Sequence, residues 1–286
     1  MHHSIADHFS EYRRDGYTIF QNFMPPDRLQ HIRQTIDAEF RRRHAQHPDR
    51  IRASIANVLA DEQLSPFFKE HLLNPTLLDY AEHVMGPFVQ LDGYEITGYP
   101  SRTLDQRKKV DRWHRDAFNY SGVWGRHGNS HHLEDWVYTA PTACNSITYL
   151  QDMNEETGHL RILVDSHLDY TFIPDENTAV PQANEQLVEL TAGDMVYTHN
   201  ETLHAGSINT SGEIRYFISA YFQRFGLPHR DTFRHPLIDA IKAEARTRND
   251  RRILRLLGED DRCEDRERAA WAQLIAEDRA ARKEGA

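Results

Sequence analysis

The sequence predicts a mainly β fold with flanking helices, and three observations carry that reading. Between residues 88 and 224, short extended runs follow one another, separated by turn residues. The stretch before them has apolar residues at helical spacing. The stretch after Pro228 is rich in Ala, Arg, Glu and Leu and reads as charged helix. Many short strands with turns between them point to a β-sandwich or barrel such as a jelly roll.

Taken in order, residues 4–15 read as a short helix, and Gly16 to Phe20 as a strand with β-branched and aromatic residues. Pro25-Pro26-Asp27 marks a helix start, and Leu29, Ile32, Ile36 and Phe40 continue at helical spacing to about Arg43. Residues 66–85 give one or two further helices, interrupted near Asn74-Pro75. Strands are expected near 88–98, 112–116, 143–151, 159–164, 186–190, 194–199, 202–208 and 214–224. Glu155 to Gly158, Ala192 to Asp194 and Asn209 to Gly212 supply turns. Residues 117–142 form a long irregular segment containing Trp124, Trp136, His127, His131 and His132, and long loops are commonly functional. Beyond Pro228, helices are expected over 236–256 and 263–282. Leu237, Ile241, Ile253, Leu256, Trp271 and Leu274 would pack them outside the β core. The division is thus 1–228 for the main domain and 229–286 for a helical extension.

The composition excludes several function classes. With 286 residues, 39% of them hydrophobic and 27% charged, the chain can bury a sizeable core. A net charge of −10 with scattered cations argues against nucleic acid as a partner. No apolar run reaches bilayer length, so no membrane is expected. Cys144 and Cys263 lie far apart, which favours unpaired thiols and a cytoplasmic location. A homo-oligomer contact through the C-terminal helices is left open.

The chemistry centres on Trp113-His114-Arg115-Asp116. In an extended run, residues two apart share a face, so His114 and Asp116 project together. An imidazole and a carboxylate side by side make half a metal site. His204 supplies a second imidazole. Two histidines and one carboxylate on one face of a metal are the facial triad of non-haem Fe(II) oxygenases. Such an iron needs an electron-rich co-substrate, and a 2-oxo acid chelates it while its far carboxylate requires a cation. Arg215, within the apolar run Ile214 to Ile218, offers a planar fork for that carboxylate. Asn145 is placed either to reach the co-substrate or at a strand edge. Thr97 and Tyr99 are candidate pocket residues. His159, His167 and His199 read as structural.

At this point the chain resembles the phytanoyl-CoA dioxygenase-like Fe(II)/2-oxoglutarate oxygenases. The matching features are Asp15-Gly16-Tyr17, the His114-x-Asp116 pair, Leu150-Gln151-Asp152 through Gly158-His159-Leu160, and Asp165-Ser166-His167. Gly193-Asp194-Met195-Val196, His204, Asn209 and Arg215 complete the set, in the family's order. The resemblance implies a double-stranded β-helix core with N-terminal helices packed on the major sheet. It also implies His114, Asp116 and His204 as iron ligands and Arg215 as the 2-oxoglutarate anchor. The reaction it implies consumes O2, decarboxylates 2-oxoglutarate to succinate and most often hydroxylates a C–H bond of a small molecule. Desaturation, epimerisation and ring formation use the same scaffold. A cupin-like isomerase or hydrolase with a redox-inert metal and a non-catalytic binding protein are the other readings. Asp116 disfavours halogenation, because halogenases leave that place to halide. Two departures stand out: Gly206 replaces a Ser that many members carry, and Ser207 has the wrong strand parity to replace it.

Overall fold

A computed structural model describes residues 4–86, 89–103, 110–116, 141, 143–168, 171–224 and 234–259, with a few helical positions between 271 and 279. The segment 117–140 and most of 263–282 lie outside the described residues.

Local signals start the N-terminal helices. Ser4 and Asp7 form a reciprocal capping box at the head of α1 (Ile5–Asp15). In α2 (Pro26–Gln46), Leu29, Ile32, Ile36 and Phe40 are the buried stripe, as their spacing predicts. The Asn74-Pro75 interruption divides α3 (Ser65–Leu72) from α4 (Pro75–Met85), where the Asn74 side chain accepts from the Thr76 N–H. Between α2 and α3 no strand is expected from the pattern of residues, yet β2 (Ala53–Ile55) forms there.

Among the described residues, nine strands build two antiparallel sheets. The larger contains β1 (Tyr17–Phe20), β2, β3 (Val89–Tyr99), β4 (Ala143–Tyr149), β7 (Met195–His199) and β9 (Arg215–Arg224), in the order β1-β7-β4-β9-β3-β2. The smaller has the order β6-β5-β8, from β5 (Leu160–Leu163), β6 (Glu185–Val188) and β8 (His204–Gly206). The run 112–116 is not a regular strand. Among the described residues, isolated bridges from His114 to His204 and from Val110 to Ser207 fasten residues 110–114 to β8 and the residue after it.

Two apolar layers follow from this arrangement. Side chains of α1 to α4 and of the larger sheet, among them Ile36, Phe40, Leu91, Tyr197 and Phe222, form one buried cluster. Ile147 and Val196 of the larger sheet meet Leu160, Ile162 and Val188 of the smaller, so the sheets face each other. A third cluster, Val110, Trp113, Leu163, Leu203 and Ala205, lies behind the histidine motif. The 236–256 region is two helices, α5 (Pro236–Thr247) and α6 (Arg251–Leu256). The chain turns between them at Asn249 (φ 54), and Asp250 caps the second. Two packing expectations for this region are corrected. Ile238, with Ala245 on the same side of α5, is buried in place of Leu237, because those positions face the core. Trp271 is 58% exposed and belongs to none of the apolar clusters of the described residues. Among the described helices, none is long and apolar enough to cross a membrane.

Candidate active site

The site grows from one cross-strand pair. The backbones of His114 and His204 exchange both N–H···O bonds, each 3.0 Å, so the two residues sit directly opposite. Their rings lie 4.4 Å apart. Each imidazole Nδ1 faces the carbonyl two residues earlier, His114 that of Arg112 and His204 that of Thr202, both at 3.0 Å. A carbonyl only accepts, so each Nδ1 carries the proton and each Nε2 keeps its lone pair. Both Nε2 atoms face the Asp116 carboxylate at 3.7 Å. That separation is too long for a hydrogen bond. It is near the ~3 Å expected between two ligands each ~2.1 Å from one ion. The three donor atoms lie within 4.8 Å of one another and could hold a metal. Desolvation by the surrounding protein, although the ring is open on one side, and the neighbouring His204 hold the His114 imidazole below its ordinary pKa, which favours the neutral, ligating form.

Two neighbours brace this trio. Asn145, on β4, donates from Nδ2 to Asp116 Oδ2 at 3.0 Å, and its own Oδ1 is buried without a partner. Asn145 is therefore an interior residue beside the carboxylate, not a strand-edge one. Arg115 ties distant backbone together beside the trio. Its Nη1 donates to the carbonyls of Ser166 and Glu201 and its Nη2 to that of Thr171. Trp113 is buried and donates from Nε1 to the Val180 carbonyl at 2.9 Å. The distant carbonyls that Arg115 ties together were not readable in the sequence.

Arg215 opens β9 and is only 3% exposed. Its Nη1 donates to the carbonyls of Thr157, Gly158 and Ser207, at 3.1, 3.1 and 2.8 Å. The guanidinium lies over the Tyr99 ring, 4.8 Å from its centroid. Nε is buried without a hydrogen-bond partner. The Asp111 carboxylate stands 3.6 Å from Nη2. One edge of the fork is thus held by backbone, and the Nε/Nη2 edge makes no hydrogen bond among the described residues; a guanidinium edge of that kind suits a carboxylate. Burial lowers the guanidinium's pKa, and Asp111 is the largest opposing influence. The adjacent Tyr216 is fixed from two sides. Gln151 pairs with its N–H and carbonyl, and its hydroxyl donates to Asp37 of α2 at 2.7 Å. The Ser207 hydroxyl does not serve Arg215. It accepts from Arg161 Nε at 2.7 Å, and only the Ser207 carbonyl faces the guanidinium.

His114, Asp116, His204, Asn145 and Arg215 all line one cavity of about 670 Å³. Ile147, Met153, Leu160 and Phe217 give it apolar walls, and Arg52, Glu95 and Tyr221 add polar groups that no sequence signal singled out. Tyr99 lines it; Thr97 does not, and instead pairs with Ser54 at 3.0 Å. Of the histidines read as structural, His167 also lines the cavity, with its Nε2 facing the Arg13 carbonyl at 2.9 Å. His127, His131, His132, Trp124 and Trp136 lie outside the described residues.

Comparison with known proteins gives the family and the fold. The family model described as phytanoyl-CoA dioxygenase matches residues 12–217. The iron/alpha-ketoglutarate-dependent dioxygenase ausO of Aspergillus calidoustus is 24% identical over 199 residues, 67% of this chain and 62% of that protein. The dioxygenase hkm4 of Aspergillus hancockii is 24% identical over 222 residues, 72% of this chain and 66% of the relative. The chain thus spans slightly less than two thirds of those two relatives. The epimerase SnoN, solved with Fe3+, alpha-ketoglutarate and nogalamycin RO, shares the fold at TM-score 0.55 and 22% identity, covering 80% of this chain and 86% of SnoN. HygX of Streptomyces hygroscopicus, solved with nickel, 2-oxoglutarate and hygromycin B, does so at TM-score 0.58 and 12% identity, covering 77% and 87%. The mostly antiparallel, jelly-roll-like architecture with flanking helices is common to them. The chain belongs to the phytanoyl-CoA dioxygenase family of Fe(II)/2-oxoglutarate-dependent oxygenases.

Proposed function

We propose that the protein is an Fe(II)/2-oxoglutarate-dependent dioxygenase that hydroxylates an unactivated C–H bond of a small molecule. The observation that carries this reading is a shared cavity holding both halves of such a site. At one place two Nε2 lone pairs and a carboxylate converge; at another a guanidinium keeps its Nε/Nη2 edge open.

The donor set fits iron. Two neutral imidazoles and one carboxylate are the facial triad, and three ligands leave positions for co-substrate and O2. Iron bound there supplies the redox chemistry by which O2 and 2-oxoglutarate become succinate and CO2 while the second oxygen atom goes to the substrate. The chain's own residues do the positioning. The backbone pairing of His114 with His204 fixes both rings, and Asn145 fixes the Asp116 carboxylate. Arg215 receives the distal carboxylate of 2-oxoglutarate on its free edge. Asn145 lines the same cavity and stands beside the Asp116 carboxylate as a further polar residue of the site.

A cavity of about 670 Å³ has room for a drug-sized substrate beside the co-substrate. Its mixture of apolar walls with Arg52, Glu95 and Tyr221 suits a polar natural-product or amino-acid-like molecule. The ligands named for SnoN and HygX, nogalamycin RO and hygromycin B, support that class. SnoN is described as an epimerase, so stereochemical inversion on the same iron site is the second reading. An anaerobic Fe(II) titration followed by admission of O2 tests the proposal. One Fe(II) is expected per chain before O2 is admitted, 2-oxoglutarate consumption should then require both Fe(II) and O2, and His204→Ala should abolish metal binding and consumption. Consumption that survives a chelator, or no consumption at all, rejects the proposal.

A further inference from the structure

Arg215 already has a carboxylate beside it. The Asp111 N–H donates to the Gly206 carbonyl at 2.9 Å, and Val110 bridges to Ser207, so Asp111 is held against β8 at the cavity wall. Its Oδ1 accepts from Arg102 Nη2. Its Oδ2 is buried, accepts no hydrogen bond, and stands 3.6 Å from Arg215 Nη2. Gly206 keeps the gap between them clear. A Cβ there would lie 3.1 Å from Arg215 Nη2 and 3.6 Å from Asp111 Oδ2. The free edge of Arg215 therefore faces a resident anion that is itself tied to a second cation.

We propose that Asp111 is the resident counter-charge of the co-substrate clamp, and that its pairing with Arg102 sets the affinity for a 2-oxo diacid. The inference rests on the reading that Arg215 takes the distal carboxylate of 2-oxoglutarate. A buried guanidinium is costly unless paired. Asp111 offsets that cost while the clamp is empty. When the diacid arrives, two carboxylates face one guanidinium and repel. Arg102 relieves this by drawing Asp111 to itself, which leaves two cations matched to two anions. Asp111 thus stabilises the free protein and weakens binding of the diacid, and Arg102 moderates that weakening.

Calorimetry on the Ni(II)-loaded protein tests this without turnover. The probes are 2-oxoglutarate and 2-oxobutyrate, which has the same chelating head and no distal carboxylate. Asp111→Asn should bind 2-oxoglutarate about tenfold more tightly, the scale of one charge pair in a partly buried site. Its affinity for 2-oxobutyrate should not change, and its ligand-free melting temperature should fall. Arg102→Gln frees Asp111 for Arg215 and should weaken 2-oxoglutarate about tenfold. Asp111→Asn with Arg102→Gln should match Asp111→Asn alone, because a neutral residue 111 has no charge for Arg102 to draw away. Unchanged or weaker 2-oxoglutarate binding in Asp111→Asn overturns the proposal, as does an equal shift for 2-oxobutyrate. So does an Arg102→Gln effect that persists in the double variant. Arg215→Met separates the two layers. If the wild type prefers 2-oxoglutarate and Arg215→Met loses that preference, the clamp reading stands and the Asp111 results alone decide. If the wild type shows no preference, both fail.

Discussion

Gly158→Ala tests how closely the chain is built around the Arg215 guanidinium. Gly158 has φ +89, a left-handed conformation that costs an alanine about 1–2 kcal/mol. A Cβ there would also lie 2.6 Å from Arg215 Nη1, 2.6 Å from the Ser207 carbonyl oxygen and 2.9 Å from that of Ile208. Two of those three atoms are backbone and yield little, so the guanidinium must move. Overpacking of this kind adds about 1–3 kcal/mol. The sum is about 3 kcal/mol, or roughly 6–12 °C in melting temperature for a chain of this size. Gly212→Ala is the matched control. Gly212 has φ +85 but a Cβ there meets nothing within 4 Å, so only the backbone cost of about 1–2 kcal/mol applies. Thermal unfolding of both variants, with 2-oxoglutarate titrated into the Ni(II)-loaded proteins, gives the comparison. Gly158→Ala should lose more stability than Gly212→Ala and bind 2-oxoglutarate at least about tenfold more weakly, since ~1 Å of misplacement is enough for large losses. Metal affinity should be unchanged in both. If Gly158→Ala behaves like Gly212→Ala in melting and in binding, the packing argument is wrong.

Three more outcomes are expected. Asn145→Leu removes the bond that orients Asp116 and should lower metal affinity about 10–100-fold in competition with a chelator, whereas unchanged affinity would show that Asp116 needs no such support. Arg115→Met removes one donor from each of the carbonyls of Ser166, Thr171 and Glu201 and should cost about 2 kcal/mol in denaturant unfolding; a silent variant would mean that Arg115 is not needed to hold them together. The third concerns pH. His71 is buried between Tyr94 and Thr148, and burial pushes its pKa from 6.5 down to about 3. The unfolded chain takes up that proton below pH 6.5 and the folded chain does not, so stability is complete above 6.5 and falls as pH drops toward 3. With a change of one pKa unit worth 1.36 kcal/mol, about 2 kcal/mol should be lost between pH 8 and pH 5. His71→Gln should flatten that slope; an equally steep slope in the variant would assign it to other groups.

Much of this architecture was legible because local signals and tertiary structure agree. The apolar stripe of α2, the Asn74-Pro75 break and the long strands β4 and β9 all stand where periodicity and turn chemistry put them. Ala53-Ser54-Ile55 was not legible. It is three residues long, carries no alternation of its own, and becomes a strand only because the end of β3 offers it a partner. The opposite error occurred at 112–116, whose extended residues make bridges to β8 without a continuous ladder. At the site, the pairing of His114 with Asp116 followed from a period of two, and His204 and Arg215 from the second imidazole and the cation that a facial triad with a 2-oxo acid needs, with the resemblance added to that. The parts played by Arg115, Asp111 and Arg102 depend on which distant carbonyls and charges the fold brings near, and no local pattern encodes that. Trp271 shows the limit of composition: an aromatic in a helical run reads as packing, yet this one is exposed.

The central claim is that His114, Asp116 and His204 hold one iron while Arg215 presents 2-oxoglutarate to it. Turnover under 18O2 tests it most directly. Decarboxylation with O2 places one of its atoms in the new carboxylate, so succinate from the wild type should carry one 18O, and Asp116→Ala and Arg215→Met should each form almost none. Unlabelled succinate, or labelled succinate formed at the wild-type rate by Asp116→Ala, would contradict the account.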